Sequence, residues 1–325
     1  DTPVIMCDLY KRTPGGAASS ALSQMGRPAL EPLISILKEG NNRIRLESLM
    51  ALQNLYRRIK DSRIIDAVIA ALNEGDLKVK KRAIIILKDI KSPRAIEALS
   101  TAIQDKDVEV RKKVVHAFTS INDSRTVEPL IAALKDMDKE IRKIAAEGLS
   151  LKKAPIAVDP LINASKDQDA SVRRSAILSL DSHKNIPRVR EIFIDALKDH
   201  DVGVRRSALS IIARNPGKWA LEPLIFALQD KDPKIREHST LGLLYLGDGH
   251  AVSPLIKALK DPNKDVRKGA AGALGRIYAK TKDPQIVGPL IEATQDMEPE
   301  VRENAVGALK IKDPRGIEIL NMALK

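Results

Sequence analysis

Five histidines, His116, His183, His200, His238 and His250, are the side chains best suited to bind a metal ion or move a proton near neutral pH. None is followed by Glu, so the repeated His-Glu pairs that would supply metal ligands do not occur. Nothing resembles a Cys/His zinc cluster, and the single cysteine, Cys7, excludes an intramolecular disulfide. Gly-x-Ser-x-Gly, P-loop and Gly-rich dinucleotide turns are missing too. We therefore expect no catalytic residue, no metal and no cofactor. Charge remains as the functional resource: Lys81, Lys112, Lys143, Arg174 and Arg206 recur at near-regular intervals, and Lys268 continues the series after an interruption at Glu237. Such residues can contact carboxylates or phosphates, provided that the fold brings them to one face.

A length of 325 residues at 43% hydrophobic content suits either two ordinary domains or one elongated array. Aromatic residues make up only 2%, whereas Ala, Leu, Ile, Lys and Asp abound, a mixture that favours helices packed through small and aliphatic side chains. Fifty-five Lys and Arg against forty-three Asp and Glu give a net charge of +12, which attracts negatively charged partners over some distance. The apolar run Val4 to Cys7 is too short for a signal sequence, and no later run approaches the eighteen or so residues of a membrane span. The expectation is a cytoplasmic protein with no membrane contact.

Periodicity decides the architecture. A basic residue follows a Val or Ile at Arg45, Lys80, Arg111, Arg142, Arg173, Arg205, Arg236, Arg267 and Arg302, with gaps of 35, 31, 31, 31, 32, 31, 31 and 35 residues. Four residues before these marker positions stand Asn41, Asp76, Asp107, Asp138, Asp169, Asp201, Asp232, Asn263 and Glu298, mostly side chains that cap helix starts. Pro233 and Pro299 follow two of them, where the missing N–H costs nothing. Positions −1, +3, +4 and +7 from the marker are apolar or small, as at Val110, Val114, Val115 and Phe118, or Ile141, Ala145, Ala146 and Leu149. This stripe predicts a helix. An earlier helix in each unit contains Glu-Pro-Leu-Ile or a variant, at Pro32, Pro129, Pro160, Pro223, Pro254 and Pro289, where proline should kink the helix or mark its start.

The consensus, roughly Pro-Leu-Ile-x-Ala-Leu-x-Asp-x-Asp-x-x-Val-Arg-x-x-Ala-x-x-x-Leu, resembles the HEAT-like repeats of phycobilisome lyases and of many prokaryotic proteins. The resemblance covers residues 28–325 and implies an all-α, right-handed α-α superhelix, a HEAT-repeat solenoid of about nine to ten two-helix units whose second helices line the concave face. We expect residues 1–27 to be a degenerate N-terminal unit and 28–325 one continuous array. Within these, residues 17–25, capped by Thr13 and Pro14, read as a second helix, and residues 314–324 as a final first helix.

Within the apolar stripe the marker Arg must be paired, because an uncompensated buried charge costs roughly 3–5 kcal/mol. We expect a structural ladder of Arg111, Arg142, Arg173, Arg205, Arg236 and Arg267 with Asp107, Asp138, Asp169, Asp201 and Asp232, within a unit or between neighbours. Asp136 and its equivalents at −6 are further acceptors, and a ligand site is the alternative role. The +1 residue lies about 130° from the stripe and gives the basic row, which Arg82 and Lys113 widen. Position +5 contains Met50, Ile85, His116, Glu147, Leu178, Ser210, Leu241, Gly272 and Gly307, apolar for an exposed row. Either these helices are buried on more than one side, or the row supplies apolar anchors among basic residues. Both 35-residue spacings contain one extra helical turn, around Tyr56 and Tyr278.

The expected function is a non-catalytic scaffold or adaptor that binds an acidic protein or peptide segment through Lys81, Lys112, Lys143, Arg174, Arg206, Lys268, His116, Leu178 and Leu241. Binding of the nucleic-acid backbone is the alternative, followed by a bilin-lyase-like activity that only the resemblance implies. Iron hydroxylases built from HEAT repeats would need the missing His-Glu pairs. HEAT-like DNA glycosylases imply aromatic residues in the groove, whereas Trp219 stands at the start of a first helix and Phe118 belongs to the core pattern.

Overall fold

The computed structural model describes residues 22–214 and 216–309. Cys7, Thr13, Pro14 and residues 314–324 lie outside the described residues, as does most of the degenerate N-terminal unit; residues 22–25 are helical. Eighteen further α-helices follow as nine consecutive pairs, and among the described residues there is no strand. The described residues fall into two compact units, unit 1 up to Ala164 and unit 2 from Ser165.

Unit 1 contains α1 (Leu30–Glu39), α2 (Asn42–Ile59), α3 (Ser62–Glu74), α4 (Leu77–Ile90), α5 (Pro93–Ala102), α6 (Val108–Ser120), α7 (Val127–Ala133), α8 (Lys139–Lys152) and α9 (Val158–Ala164). Unit 2 contains α10 (Ala170–Leu180), α11 (Pro187–Ala196), α12 (Val202–Arg214), α13 (Leu221–Ala227), α14 (Pro233–Leu246), α15 (Val252–Ala258), α16 (Lys264–Thr281), α17 (Val287–Ala293) and α18 (Pro299–Leu309). Odd-numbered helices up to α9 and from α11 are the first of a pair. Within each unit they pack on their mates, and second helices pack on second helices, α2 on α4 on α6 on α8 and α10 on α12 on α14 on α16 on α18.

The stripe explains this layering. Val110, Val114, Val115 and Phe118 of α6 are completely buried, as are Ile141, Ala145 and Ala146 of α8, and Leu149 is almost so. Each large aliphatic or aromatic side chain so placed contributes roughly 1.5–3 kcal/mol. Helix starts are set by the cap residues: Asn41, Asp76, Asp107, Asp138, Asp169, Asp201, Asp232 and Asn263 each accept a hydrogen bond from a backbone N–H of the first turn that follows. The Glu-Pro-Leu-Ile prolines mark a start. Each of Pro32, Pro129, Pro160, Pro223, Pro254 and Pro289 is the third residue of its α-helix, directly after a short 3-10 turn, so the missing N–H falls where no α-type partner is needed. α2 and α16, with the extra turn, reach 18 residues. Both end on a lysine with positive φ, Lys60 and Lys282, whose ammonium lies 5.0 and 5.2 Å from the ring centres of Tyr56 and Tyr278.

The marker residues tie repeat to repeat. Arg111 donates to both carboxylate oxygens of Asp136 at 2.8 and 3.1 Å, Arg173 to those of Asp199 at 2.8 and 2.7 Å, and Arg205 to those of Asp230 at 2.8 and 3.0 Å. Arg236 pairs with Asp261 and Arg267 with Asp296 in the same bidentate way, and Lys80 reaches Asp105 at 2.5 Å. The remaining Nη1 of each Arg turns back to carbonyls of its own repeat, as from Arg142 to Asp136 O at 2.9 Å and Met137 O at 3.1 Å. One part of the expected ladder needs correction. Asp107, Asp138, Asp169, Asp201 and Asp232 spend a carboxylate oxygen on helix caps; the carboxylates that hold the guanidinium groups stand two residues earlier and belong to the following repeat. One cap oxygen is taken by the N–H groups of its own first turn, and at Asp138 and Asp232 the other meets the +1 base of the preceding second helix, not its marker.

A second set of bonds lies at the far end of the second helices. Arg58 donates to Ser23 O at 2.8 Å, Lys152 to Ile121 O, and Lys280 to Gly247 O at 3.4 Å, so a basic side chain satisfies the terminal carbonyls of the preceding second helix. Sequence reasoning missed this, although basic residues in the last turn were the available signal.

Only 5% of the Arg205 side chain and 10% of that of Asp230 are exposed. Asp230→Ala is therefore expected to destabilise unit 2 by roughly 3–5 kcal/mol by stranding a charge, while the double variant Arg205→Met/Asp230→Leu recovers most of that loss. Urea unfolding followed by far-ultraviolet circular dichroism measures both.

Candidate functional site

The basic row is far less free than the sequence suggests. In unit 1 Lys81 pairs with Glu109 at 3.0 Å, Lys112 with Asp138 at 3.3 Å, and Lys143 with Glu140 at 3.1 Å. In unit 2 Arg206 pairs with Asp232 at 2.6 Å and Lys268 with Glu300 at 3.2 Å. Arg174 is exposed and, among the described residues, its side chain makes no ion pair or hydrogen bond. A rule of spacing accounts for the difference. Lys81, Lys112, Arg206 and Lys268 reach either the acid two residues before the next marker, Glu109 or Glu300, or the next cap, Asp138 or Asp232, whereas Lys143 turns to Glu140 of its own helix. For Arg174 the corresponding position is Gly203, which has no side chain to offer; for Arg206 it is Lys234, and the guanidinium turns to the cap instead.

Exposure of the +5 row argues against a second buried face. Met50, Leu178 and Leu241 are 36%, 42% and 44% exposed, and His116 is exposed as well, so these positions are apolar and polar surface rather than a second buried face. Ile85, Ser210 and Gly272 are half-buried.

In unit 2 the two rows border neighbouring clefts. The first, of about 400 Å³, lies over α10, α12 and α14 between Arg174, Leu178, Arg206, Ser210, Lys234 and His238. A second, of about 240 Å³, lies over α14, α16 and α18 and is lined by Leu241, Leu244, Gly269 and Gly272, with Glu237, Asp265 and Lys268 at its rim. His238 borders both, its Nδ1 2.8 Å from Lys234 O. Lys234 is shared between Glu237 at 2.8 Å and Asp265 at 3.6 Å. Trp219 stands apart from these clefts in the 3-10 turn before α13, with the Arg190 guanidinium 5.4 Å from its ring centre. Among the described residues no three His, Cys, Asp or Glu side chains are grouped to hold a metal ion, and no helix is long and apolar enough to cross a membrane.

Two-helix units of this geometry are matched by the sequence profile for HEAT repeats, over residues 65–150, 127–213 and 221–283. The chain belongs to the HEAT-repeat family. No curated protein matches it by sequence. Among solved structures it is similar to importin beta, with 16% identity and a TM-score of 0.66 over 95% of this chain and 52% of that one. It is likewise similar to a structure in which Kap95p binding induces the switch loops of RanGDP to adopt the GTP-bound conformation, with 15% identity and a TM-score of 0.61 over 98% and 50%. An engineered protein gives 20% identity and a TM-score of 0.50 over 98% and 95%. The chain thus spans about half the length of the first two, and likeness at these identities concerns the fold.

In this HEAT protein the cap carboxylates therefore have two tasks, helix start and surface charge. Burial raises the pKa of Asp138, but the N–H groups of Ile141 and Glu140 and the Lys112 ammonium outweigh it and hold the carboxyl below its ordinary range. Asp232 is lowered in the same way, burial being outweighed by Arg206 and by the N–H groups of Ile235 and Lys234. A folded-state pKa below the unfolded one means that each carboxylate stabilises the fold above about pH 3.9 and loses that contribution as pH falls through the lowered value. Asp138→Asn keeps a cap acceptor and removes the titrating charge. Thermal unfolding across an acid pH series should show a shallower loss of Tm in Asp138→Asn than in the parent.

Proposed function

We propose that this HEAT-repeat protein is a scaffold or adaptor that binds an acidic protein segment along the +1 and +5 face of its second helices, with the basic residues Lys81, Lys112 and Lys143 in unit 1 and Arg174, Arg206 and Lys268 in unit 2. The observation that carries the reading is the joint exposure of Arg174 and Leu178 at one cleft, an unpaired cation beside an apolar side chain. Protein ligands present carboxylates and apolar groups together, and interfaces with apolar anchors in a polar surround draw affinity from both. His116 and Leu241 extend the same composition. That a structural neighbour, Kap95p, binds RanGDP fits a protein-binding role for such an array.

Nucleic acid is the second reading, favoured by the net charge of +12. Most of the row is already paired with Glu109, Asp138, Glu140, Asp232 and Glu300, which weakens its pull on any anion and disfavours most a ligand that, like a nucleic-acid backbone, has no aliphatic groups to place on Leu178 and Leu241. A bilin-lyase-like activity rests on the family resemblance, and an absorbance band after co-expression with a bilin would reveal it.

The deciding experiment compares labelled poly-glutamate with labelled duplex and single-stranded DNA and RNA over a salt series, using the parent and the variant Lys112→Glu/Lys143→Glu/Arg174→Glu. We expect poly-glutamate to bind and the reversal to abolish binding. Nucleic-acid binding that the reversal abolishes, with log affinity falling by about 0.9 per log salt for each phosphate contacted on B-DNA, would replace the adaptor with a nucleic-acid clamp.

A further inference from the structure

The two clefts of unit 2 differ in kind. The first is lined by Arg174, Arg206, Lys234 and His238 without a carboxylate among its walls, and Arg174 alone of the +1 bases there is unpaired. Along the second, Glu237 and Asp265 stand at the rim over a floor of Leu241, Leu244 and two glycines. Gly272 leaves a real vacancy in that floor. A Cβ built there meets only Leu244 Cδ1 at 3.4 Å and Asn304 Oδ1 at 3.6 Å, ordinary contact distances, so a side chain can enter from outside without displacing the core. Gly269 has the opposite reason for being glycine, since a Cβ would overlap Thr240 Oγ1 where α16 crosses close to α14.

We propose that the two clefts form a bipartite receptor for an extended peptide with a carboxylate at one end and a bulky aliphatic side chain farther along. The carboxylate binds Arg174 in the first cleft, and the aliphatic group fills the space over Gly272 in the second. The proposal rests on the acidic-segment reading above and adds a direction and a spacing to it. Direction follows from charge, because Glu237 and Asp265 repel a carboxylate from the second cleft whereas no wall of the first does. Spacing follows from the stacking: Arg174 is rooted on α10 but its Cδ lies 3.9 Å from where a Cβ of Gly203 would stand, so its guanidinium group is beside α12, two helix steps of about 8–10 Å each from α16. An extended chain advances about 3.3 Å per residue, so acid and aliphatic groups should stand about five to six residues apart.

Fluorescence anisotropy with three fluorescein-labelled peptides tests this on the full chain. One contains Asp-Asp followed after four serines by Leu, one has a single Ser as spacer, and one has Ser in place of Leu. The long-spaced Leu peptide should bind about tenfold or more tightly than the other two, the worth of burying one aliphatic side chain. Arg174→Glu should weaken all three by about tenfold or more, as expected for the loss of a charge-assisted contact. Gly272→Leu, which fills the vacancy, should reduce the long-spaced Leu peptide to the level of the Leu-free one and leave the latter unchanged. Leu241→Asp, a change at an exposed position, should do the same by removing the apolar wall. If the Leu peptides bind no better than the Leu-free peptide while Arg174→Glu still weakens binding, the bipartite receptor is wrong and the acidic-segment reading stands. If no Asp-containing peptide binds the parent protein, both fall.

Discussion

The guanidinium of the marker arginine is where turn, helix pair and repeat stacking meet. Its Nε and Nη2 are bound by one carboxylate of the following repeat, while its Nη1 holds two carbonyls of its own Asp-x-Asp turn. That carboxylate also accepts the backbone N–H of the cap residue two positions on, as Asp199 does from Asp201 at 2.8 Å. A single Arg-Asp pair therefore fixes the turn between two helices and the register of the next pair. Desolvating the charge is tolerable in Arg173 because four of its five N–H groups have a partner in the planar fork geometry that Arg offers and Lys does not. Where Lys80 occupies the marker position, only one carboxylate oxygen, Oδ2 of Asp105, is engaged.

With register fixed in the turns, the exposed face of the second helices is free to vary, and the charge there is decided locally. Every +1 base looks for an acid in the first turn of the next second helix. Most find one, at distances from 2.6 to 3.3 Å, and become part of the surface electrostatics of a stack rather than a phosphate-binding stripe. Exposed pairs of this kind contribute little stability, typically under about 1 kcal/mol, so their main effect is on which ligands are attracted. Neutralisation along the row and its failure at Arg174 together leave Arg174 as the unpaired member of an otherwise neutralised series.

The fold was largely legible because its determinants are periodic. Marker, cap and stripe recur together, and Val110, Val114, Val115 and Phe118 could be assigned to the core from spacing alone. Less accessible was which of two acids binds the guanidinium. Asp136 and Asp138 are both within plausible reach of an Arg on the helical wheel, and only the three-dimensional direction of the cap oxygen shows that Asp138 is committed to the N–H groups of Glu140 and Ile141. The basic row was visible as residues but not as charge, since neutralisation involves a side chain 26 to 32 positions away, as in Arg206 with Asp232 or Lys268 with Glu300. Likewise Leu178 and Leu241 were ambiguous in sequence, because an apolar residue opposite a buried stripe can face either a neighbouring helix or water.

Departures from the repeat are thus more informative about function than the repeat itself. The residue two before the marker is acidic at Glu109, Glu140, Asp265 and Glu300 and is something else at Arg43, Lys78, Ser171, Gly203 and Lys234; of these, Gly203 and Lys234 line the first cleft. Glycine at 269 and 275 brings α16 close to its neighbours, Gly275 so near Ala308 that an added Cβ would lie 2.5 Å from its Cβ. Gly272, between them on the same helix, has no such packing role, and a glycine in a helix interior costs roughly 0.5–1 kcal/mol relative to alanine. A packing explanation covers two of these three glycines and fails for the third. The space over Gly272 is what the fold itself does not require, and the proposed aliphatic anchor gives that space a use.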